Sequence, residues 1–251
     1  MKTNIIRLQN DIDSNKYANW CWQTSAVNTS IEFFNAVTPD EVDDLMSGLR
    51  IEWKYPWTGE VNDIKSGLTL RAYQTADPKK RMACFLSHYC LWEKTVKSGK
   101  PMLILEHDAV QLRDIPEYFL NKFDDVLHLD RYSRLVQDYN AHCETNRGEG
   151  IHNHCDSIPD LSGTELLNKT SIKGSHSYII TPIGANKMID YVWAKGALSP
   201  DVALNSVAVN LKYTDTSYFR INEKYWINRK GRSANSFCRP KKYKKDQLKY
   251  Y

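Results

Sequence analysis

Apolar positions along this chain fall into two patterns. Met102-Leu103-Ile104-Leu105 is a short continuous apolar run, and Val126-Leu127-His128-Leu129 and Ser177 to Ile180 are similar. Runs of this length mark strands buried on both faces. Asn4 to Leu8 and Ile31-Glu32-Phe33-Phe34 read as two further strands. The other pattern is helical. Asp77-Pro78 opens the clearest helix and Gly99 closes it, with Phe85, Tyr89, Trp92 and Val96 recurring at three- and four-residue spacing as one buried stripe. Thr38-Pro39-Asp40-Glu41 supplies an N-cap, a first-turn proline and first-turn acids for a helix that Gly48 can end. Thr181-Pro182 starts a helix that ends near Gly196, Ser199-Pro200-Asp201 starts another, and Ala18 to Val27 has a mixed helical pattern. Strands alternating with helices predict an α/β fold around a largely parallel sheet.

Two stretches lack either pattern. Arg50 to Thr75 is irregular and aromatic, with Trp53, Tyr55, Trp57 and Tyr73 among Gly and Pro, and reads as a long excursion over the functional face of the sheet. Tyr139 to Gly163 is polar and long enough to be a lid or a disordered loop. No internal repeat is visible.

Composition adds a charge asymmetry. The 251 residues carry a net charge of +4, but residues 223–251 hold ten Lys or Arg against two acids. The chain therefore divides into an acidic body, 1–222, and a basic, aromatic-rich segment, 223–251. An acidic body suits a metal site and a basic segment suits a polyanion. No apolar run approaches the length that spans a bilayer, and the N-terminus turns polar too soon for a secretory signal. The six Cys lack a framework spacing and read as reduced thiols of a cytoplasmic protein. His142-Cys143 and His152-Asn153-His154-Cys155 offer five nitrogen or sulfur ligands, but their spacing fits no familiar zinc module.

Chemistry concentrates at Glu106-His107-Asp108, directly after the Met102 to Leu105 run. Ligands of open α/β sheets bind beyond the carboxyl ends of strands. Strand alternation would turn Glu106 and Asp108 the same way, and two carboxylates on one side suit Mg²⁺ or Mn²⁺ together with substrate phosphates. The plain alternative is that both acids cap the next turn.

The stretch Ala83-Cys84-Phe85-Leu86-Ser87-His88-Tyr89-Cys90-Leu91-Trp92-Glu93-Lys94, followed by Met102 to Ala109, resembles glycosyltransferase family 25. That family shows a Cys-x-x-Ser-His-x-x-x-Trp helix and then an apolar strand ending in Glu-Asp-Asp. Gly174 to Ala185 is similar to its Tyr-containing strand and Gly-Ala helix, and Ser199-Pro200-Asp201 to its Pro-x-Asp segment. The resemblance implies a GT-A (Rossmann-like) fold, a nucleotide-sugar donor such as a UDP-sugar, and a divalent cation. It implies that Asp108 ligates the metal, that Glu106 orients the ribose or the metal's water shell, and that Ser87 and His88 reach the donor diphosphate or sugar. It makes Asp201 a general base or donor-sugar contact, and it leans to inversion. His107 departs from the family by replacing its middle Asp, which removes one carboxylate and adds an imidazole as a third candidate ligand.

Bland readings stand beside several of these. His88 also reads as a satisfied core histidine, Asp201 as a carboxylate favoured by a helix start, and Arg81 as either a phosphate partner or a solvated first-turn residue. Asp130, after the run ending at Leu129, is a weaker catalytic candidate. In the basic segment, Arg229, Lys230, Arg232, Lys241 and Lys242 are interleaved with Tyr225, Trp226, Phe237 and Tyr243. Cations neutralise phosphates and rings stack on bases or sugars. Two acceptors fit: DNA whose bases carry hydroxymethyl groups, as in sugar-modified phage genomes, and an anionic lipopolysaccharide core. The absence of an amphipathic membrane helix tilts the reading slightly to DNA. A non-catalytic nucleic-acid-binding protein on the same fold and a zinc-dependent module at His152 to Cys155 are the readings of other classes.

Overall fold

The computed structural model describes residues 1–25, 30–63, 68–72, 77–130, 151–153, 174–214 and 216–222. Its centre is a seven-stranded sheet in the order β2-β1-β5-β9-β7-β10-β8. The strands are β1 (Lys2–Arg7), β2 (Ser30–Asn35), β5 (Met102–Glu106), β7 (Val126–His128), β8 (Ile151–Asn153), β9 (Ser177–Ile180) and β10 (Leu211–Thr214). β2, β1 and β5 run parallel, as do β7 and β10, while β9 and β8 oppose their neighbours. The sheet is thus mostly parallel, as the alternation of strands and helices predicts, with β9 inserted in reverse at its middle.

Alternation along each buried strand sorts side chains onto two faces. Met102, Ile104, Val126, Tyr178 and Ile180 face one core with α3 (Pro78–Ser98) and α4 (Pro182–Lys195). Leu103, Leu105, Leu127 and Ile179 face the other with α1 (Ile12–Ser25). The stripe predicted for α3 lies in the first core, where Phe85, Tyr89 and Trp92 meet Met188, Tyr191 and Val192 of α4. Its ends are those the sequence signals. The Asp77 side chain accepts from Lys79 N–H, and Gly99 closes the helix at φ 62°.

Several elements differ from the sequence reading. α1 starts at Ile12, well before Ala18. The Thr38 start gives a short 3-10 turn, Pro39–Glu41, before α2 (Val42–Gly48), with the Glu41 carboxylate accepting from Thr38 N–H at 2.7 Å. The irregular aromatic stretch contains a hairpin, β3 (Glu60–Asp63) with β4 (Leu68–Arg71). Trp53 forms a parallel bridge with Ala197 that ties this stretch to the α4 end. The segment expected as a lid contributes β8, paired to β10; its other residues lie outside those described. β6 (Ala109–Gln111) and β11 (Phe219–Ile221) form a separate pair, and α5 (Pro200–Ala203) is a single turn. None of these short strands has an apolar run long enough to announce it. Among the described residues no helix is long and apolar enough to cross a membrane.

Candidate active site

The reversal of β9 builds the site. β5 and β7 end at the same edge of the sheet, and β9 starts there between them, paired Leu105 to Ser177 and His128 to Tyr178. Residues 174–176 are thereby placed between Glu106 and Asp130. The Glu106 N–H donates to His176 O at 2.9 Å, and the Leu129 N–H donates to Ser177 O at 3.2 Å.

Glu106 is the hub. Its Oε1 accepts the Ser175 hydroxyl at 2.6 Å and lies 3.4 Å from His88 Nε2. Burial acts to raise its carboxyl pKa, but His88, Ser175 and the His176 charge outweigh it and bring it down to about 2. On the other side of Ser175, Asp201 Oδ1 accepts the Ser175 backbone N–H at 3.0 Å and lies 3.0 Å from its Oγ. Burial and the Glu106 charge raise the Asp201 carboxyl above the ordinary range, against the pull of the Ser175 bonds. Two carboxylates on one hydroxyl are thus driven apart in acidity, the pattern that separates acid and base roles.

His88 is fully buried with its ring stacked 5.8 Å from that of Tyr178. Its Nδ1 is 2.8 Å from the Tyr178 hydroxyl, which also accepts the Trp92 indole N–H at 3.0 Å. One ring nitrogen is thus anchored in the core, and the other faces Glu106. Arg81, also fully buried, lies over the rings of Tyr55 at 5.2 Å and Trp57 at 5.4 Å. It is not a solvated first-turn residue. Ser87 is differently engaged. Its hydroxyl donates to Ala83 O at 2.8 Å and accepts the Val37 N–H at 2.9 Å, fastening the end of β2 to α3.

Asp130 is buried against His176, with Oδ2 3.0 Å from Nε2, and its Oδ1 accepts the Ser217 hydroxyl at 2.7 Å. Burial works against both charges. The pairing prevails, holding the Asp130 carboxyl below its usual range and the His176 imidazole above its own, where Asp108 and Glu106 add to the effect. His128 is the opposite case: burial and the neighbouring His176 charge push it down to about 4.

The acidic tripeptide departs from strict strand alternation, because β5 stops at Glu106 and residues 107–108 form a turn. Glu106 faces α3. Asp108 is buried, and its charge is felt by Cys21 of α1, on the other side of the sheet, as well as by His176. Among the described residues, the three His, Cys, Asp or Glu side chains whose donor atoms all lie within 4.8 Å of one another are Cys84, His88 and Glu106. Ser175, His176 and Tyr178 stand in the Gly174-Ser175-His176-Ser177-Tyr178 stretch singled out in the sequence, and Cys84 in the helix motif, yet sequence reasoning assigned them no role. The signal available was a polar Ser-His pair at the mouth of a buried strand. The proposed acceptor residues Arg229, Lys230, Arg232, Lys241 and Lys242, and the His142 to Cys155 cluster apart from the β8 backbone, lie outside the described residues.

The edge of the sheet where β5 and β7 end thus gathers acids of split acidity and buried histidines, at the strand ends where open α/β sheets bind ligands. Residues 1–203 match the model of glycosyltransferase family 25 (LPS biosynthesis protein), and the chain belongs to that family and is a glycosyltransferase. No curated protein matches the chain. Among solved structures it is similar to mouse xyloside xylosyltransferase 1 in its apo form, at 8% identity over 80% of this chain and 78% of that one, with a TM-score of 0.36. It is also similar to a putative glucose-1-phosphate thymidylyltransferase from Bacillus anthracis in complex with a sucrose, at 12% identity over 88% and 89%, with a TM-score of 0.35.

Proposed function

We propose that this glycosyltransferase moves a sugar from a nucleotide-sugar donor, a UDP-sugar, to a hydroxyl of a polyanionic acceptor, with the donor diphosphate at the Glu106-His107-Asp108 end of β5. The observation that carries the reading is the Glu106–Ser175–Asp201 arrangement, in which one carboxylate is held ionised and its neighbour is raised toward a basicity useful for proton abstraction. Asp201 takes the proton of the acceptor hydroxyl as that oxygen attacks the anomeric carbon. The nucleoside diphosphate leaves from the opposite face, and the configuration inverts. His88 fixes Glu106, while the Asp130 carboxylate favours the charged form of His176 beside the charge that grows on the leaving group. Arg81, framed by Tyr55 and Trp57, contributes a second positive charge on the donor side.

Mn²⁺ or Mg²⁺ fits this edge by donor chemistry. Asp108 would hold the ion through a hard carboxylate oxygen and His107 adds an imidazole in the same turn, while Glu106, which faces α3, would orient the ribose or the ion's water shell. Bound there, the ion supplies Lewis-acid stabilisation of the diphosphate.

The family's description as an LPS biosynthesis protein supports an anionic oligosaccharide core as acceptor. The basic aromatic segment 223–251 supports the same polyanion chemistry, which hydroxymethylated DNA shares. Mass spectrometry of both acceptors after reaction with pooled nucleotide sugars separates them. The decisive variant is Asp108→Ala, expected to lose transfer while keeping the wild-type circular dichroism and melting profile. Undiminished turnover in the folded variant would remove Asp108 from the donor site.

A further inference from the structure

The geometry points to a second metal site, in which Cys84, His88 and Glu106 bind a borderline-soft divalent ion of the Zn²⁺ class and leave its fourth position open to an exogenous oxygen ligand. Cys84 and His88 are one turn apart on α3, so thiol and imidazole share a helix face that looks onto the end of β5. The three donor atoms lie within 4.8 Å of one another. A tetrahedral ion with bonds of about 2.0–2.3 Å separates its ligands by about 3.4–3.7 Å. His88 Nε2 and Glu106 Oε1, 3.4 Å apart, already stand at that spacing, and the thiol of the half-buried Cys84 lies within 4.8 Å of both.

That same 3.4 Å is long for a hydrogen bond. His88 Nε2 is buried without a hydrogen-bond partner and is aimed at Glu106. The other ring nitrogen is held by the Tyr178 hydroxyl, which Trp92 holds in turn. This is the outer support that orients a metal-bound imidazole. In the tautomer whose Nδ1–H donates to the phenol oxygen, the Nε2 lone pair is left for the ion. Glu106 is oriented by the Ser175 hydroxyl, which donates to its Oε1 at 2.6 Å. Thiolate with imidazole and carboxylate selects Zn²⁺ over Mg²⁺ or Ca²⁺, which take oxygen donors. The site does not depend on the ion proposed at Asp108. It faces α3, and Asp108 is the acid whose charge reaches Cys21 on the α1 side.

Titration of the chelator-treated full-length chain with Co²⁺, followed by competition with Zn²⁺, tests the assignment. The wild type is expected to bind one equivalent with a near-ultraviolet thiolate-to-cobalt charge-transfer band that Zn²⁺ abolishes. Cys84→Ser and Cys84→Ala should both lose the band and weaken Zn²⁺ binding at least about tenfold, with unchanged circular dichroism. Asp108→Asn should keep the band whatever happens to its transfer activity, so failure here and failure of the Asp108 reading are told apart. A wild type with no thiolate band overturns the site. So does a band that survives both Cys84 substitutions, which would place the ion on another thiol, or one that disappears in folded Asp108→Asn.

Discussion

At the scale of single residues, the site contains two histidines with opposite electrostatics. His176 is raised because its pairing with Asp130, reinforced by the Asp108 and Glu106 charges, outweighs burial. Its stabilising share is complete below about pH 6.5 and is lost as pH rises through its folded value. His128 has a folded pKa of about 4, because burial disfavours its charge and the neighbouring His176 charge adds to the effect. Between about pH 6.5 and 4 the unfolded chain therefore takes up a proton that the folded chain refuses. Stability falls by about 3 kcal/mol across that window on this account. Urea unfolding at a series of pH values should show the wild type losing ground to His128→Gln as pH drops from 7 to 4. Parallel curves for the two proteins would mean that His128 does not titrate in this way.

Elements are the scale at which local signals and packing meet. The Thr181 hydroxyl caps α4 by accepting the Gly184 N–H at 3.0 Å, as Thr181-Pro182 predicts. Why the next positions read Gly184-Ala185 is a packing matter. A Cβ on Gly184 would collide with the backbone carbonyl of Asp125, the residue before β7. That carbonyl already accepts the Thr181 N–H at 2.9 Å and has little freedom to move. Gly184→Ala should therefore destabilise the protein by about 1–3 kcal/mol despite the better helix propensity of alanine. Thermal melting checks this; an unchanged or raised midpoint would show that α4 can lift off β7 without cost. In α3 the buried stripe, the Asp77 cap and the Gly99 stop were all legible, because each depends on neighbours three or four residues away. The hairpin β3–β4 and the strands β6, β10 and β11 were not, since they lack the continuous apolar runs of β7 and β9 and take their stability from partners that spacing does not reveal.

For the molecule as a whole, charge separates an acidic body from the basic segment 223–251. On the proposed function that segment holds a polyanionic acceptor while the edge of the sheet at the end of β5 holds the donor. Each phosphate contact removed should lower the slope of log affinity against log salt by about one. Lys241→Gln with Lys242→Gln should thus flatten the slope by about two for hydroxymethylated DNA or lipopolysaccharide core, and leave slow hydrolysis of the donor alone. Affinity measured across a salt series reads this directly, and an unaltered slope would release the two lysines from acceptor binding.

The sequence by itself determined the alternation of strands and helices, the α3 stripe with its caps, and the acidic end of β5. These are local: periodicity, capping chemistry and continuous apolar runs are written within a few residues. Only the tertiary structure decided the direction of β9, since a strand buried on both faces reads the same whichever way it runs. That reversal carries Ser175 and His176 to the ends of β5 and β7, and with them come the sharing of Ser175 between Glu106 and Asp201 and the His176–Asp130 pair. The contact of His88 with Glu106 likewise joins a helix to a strand across the core. Such meetings depend on the path of the whole chain through space, which no window of neighbouring residues contains.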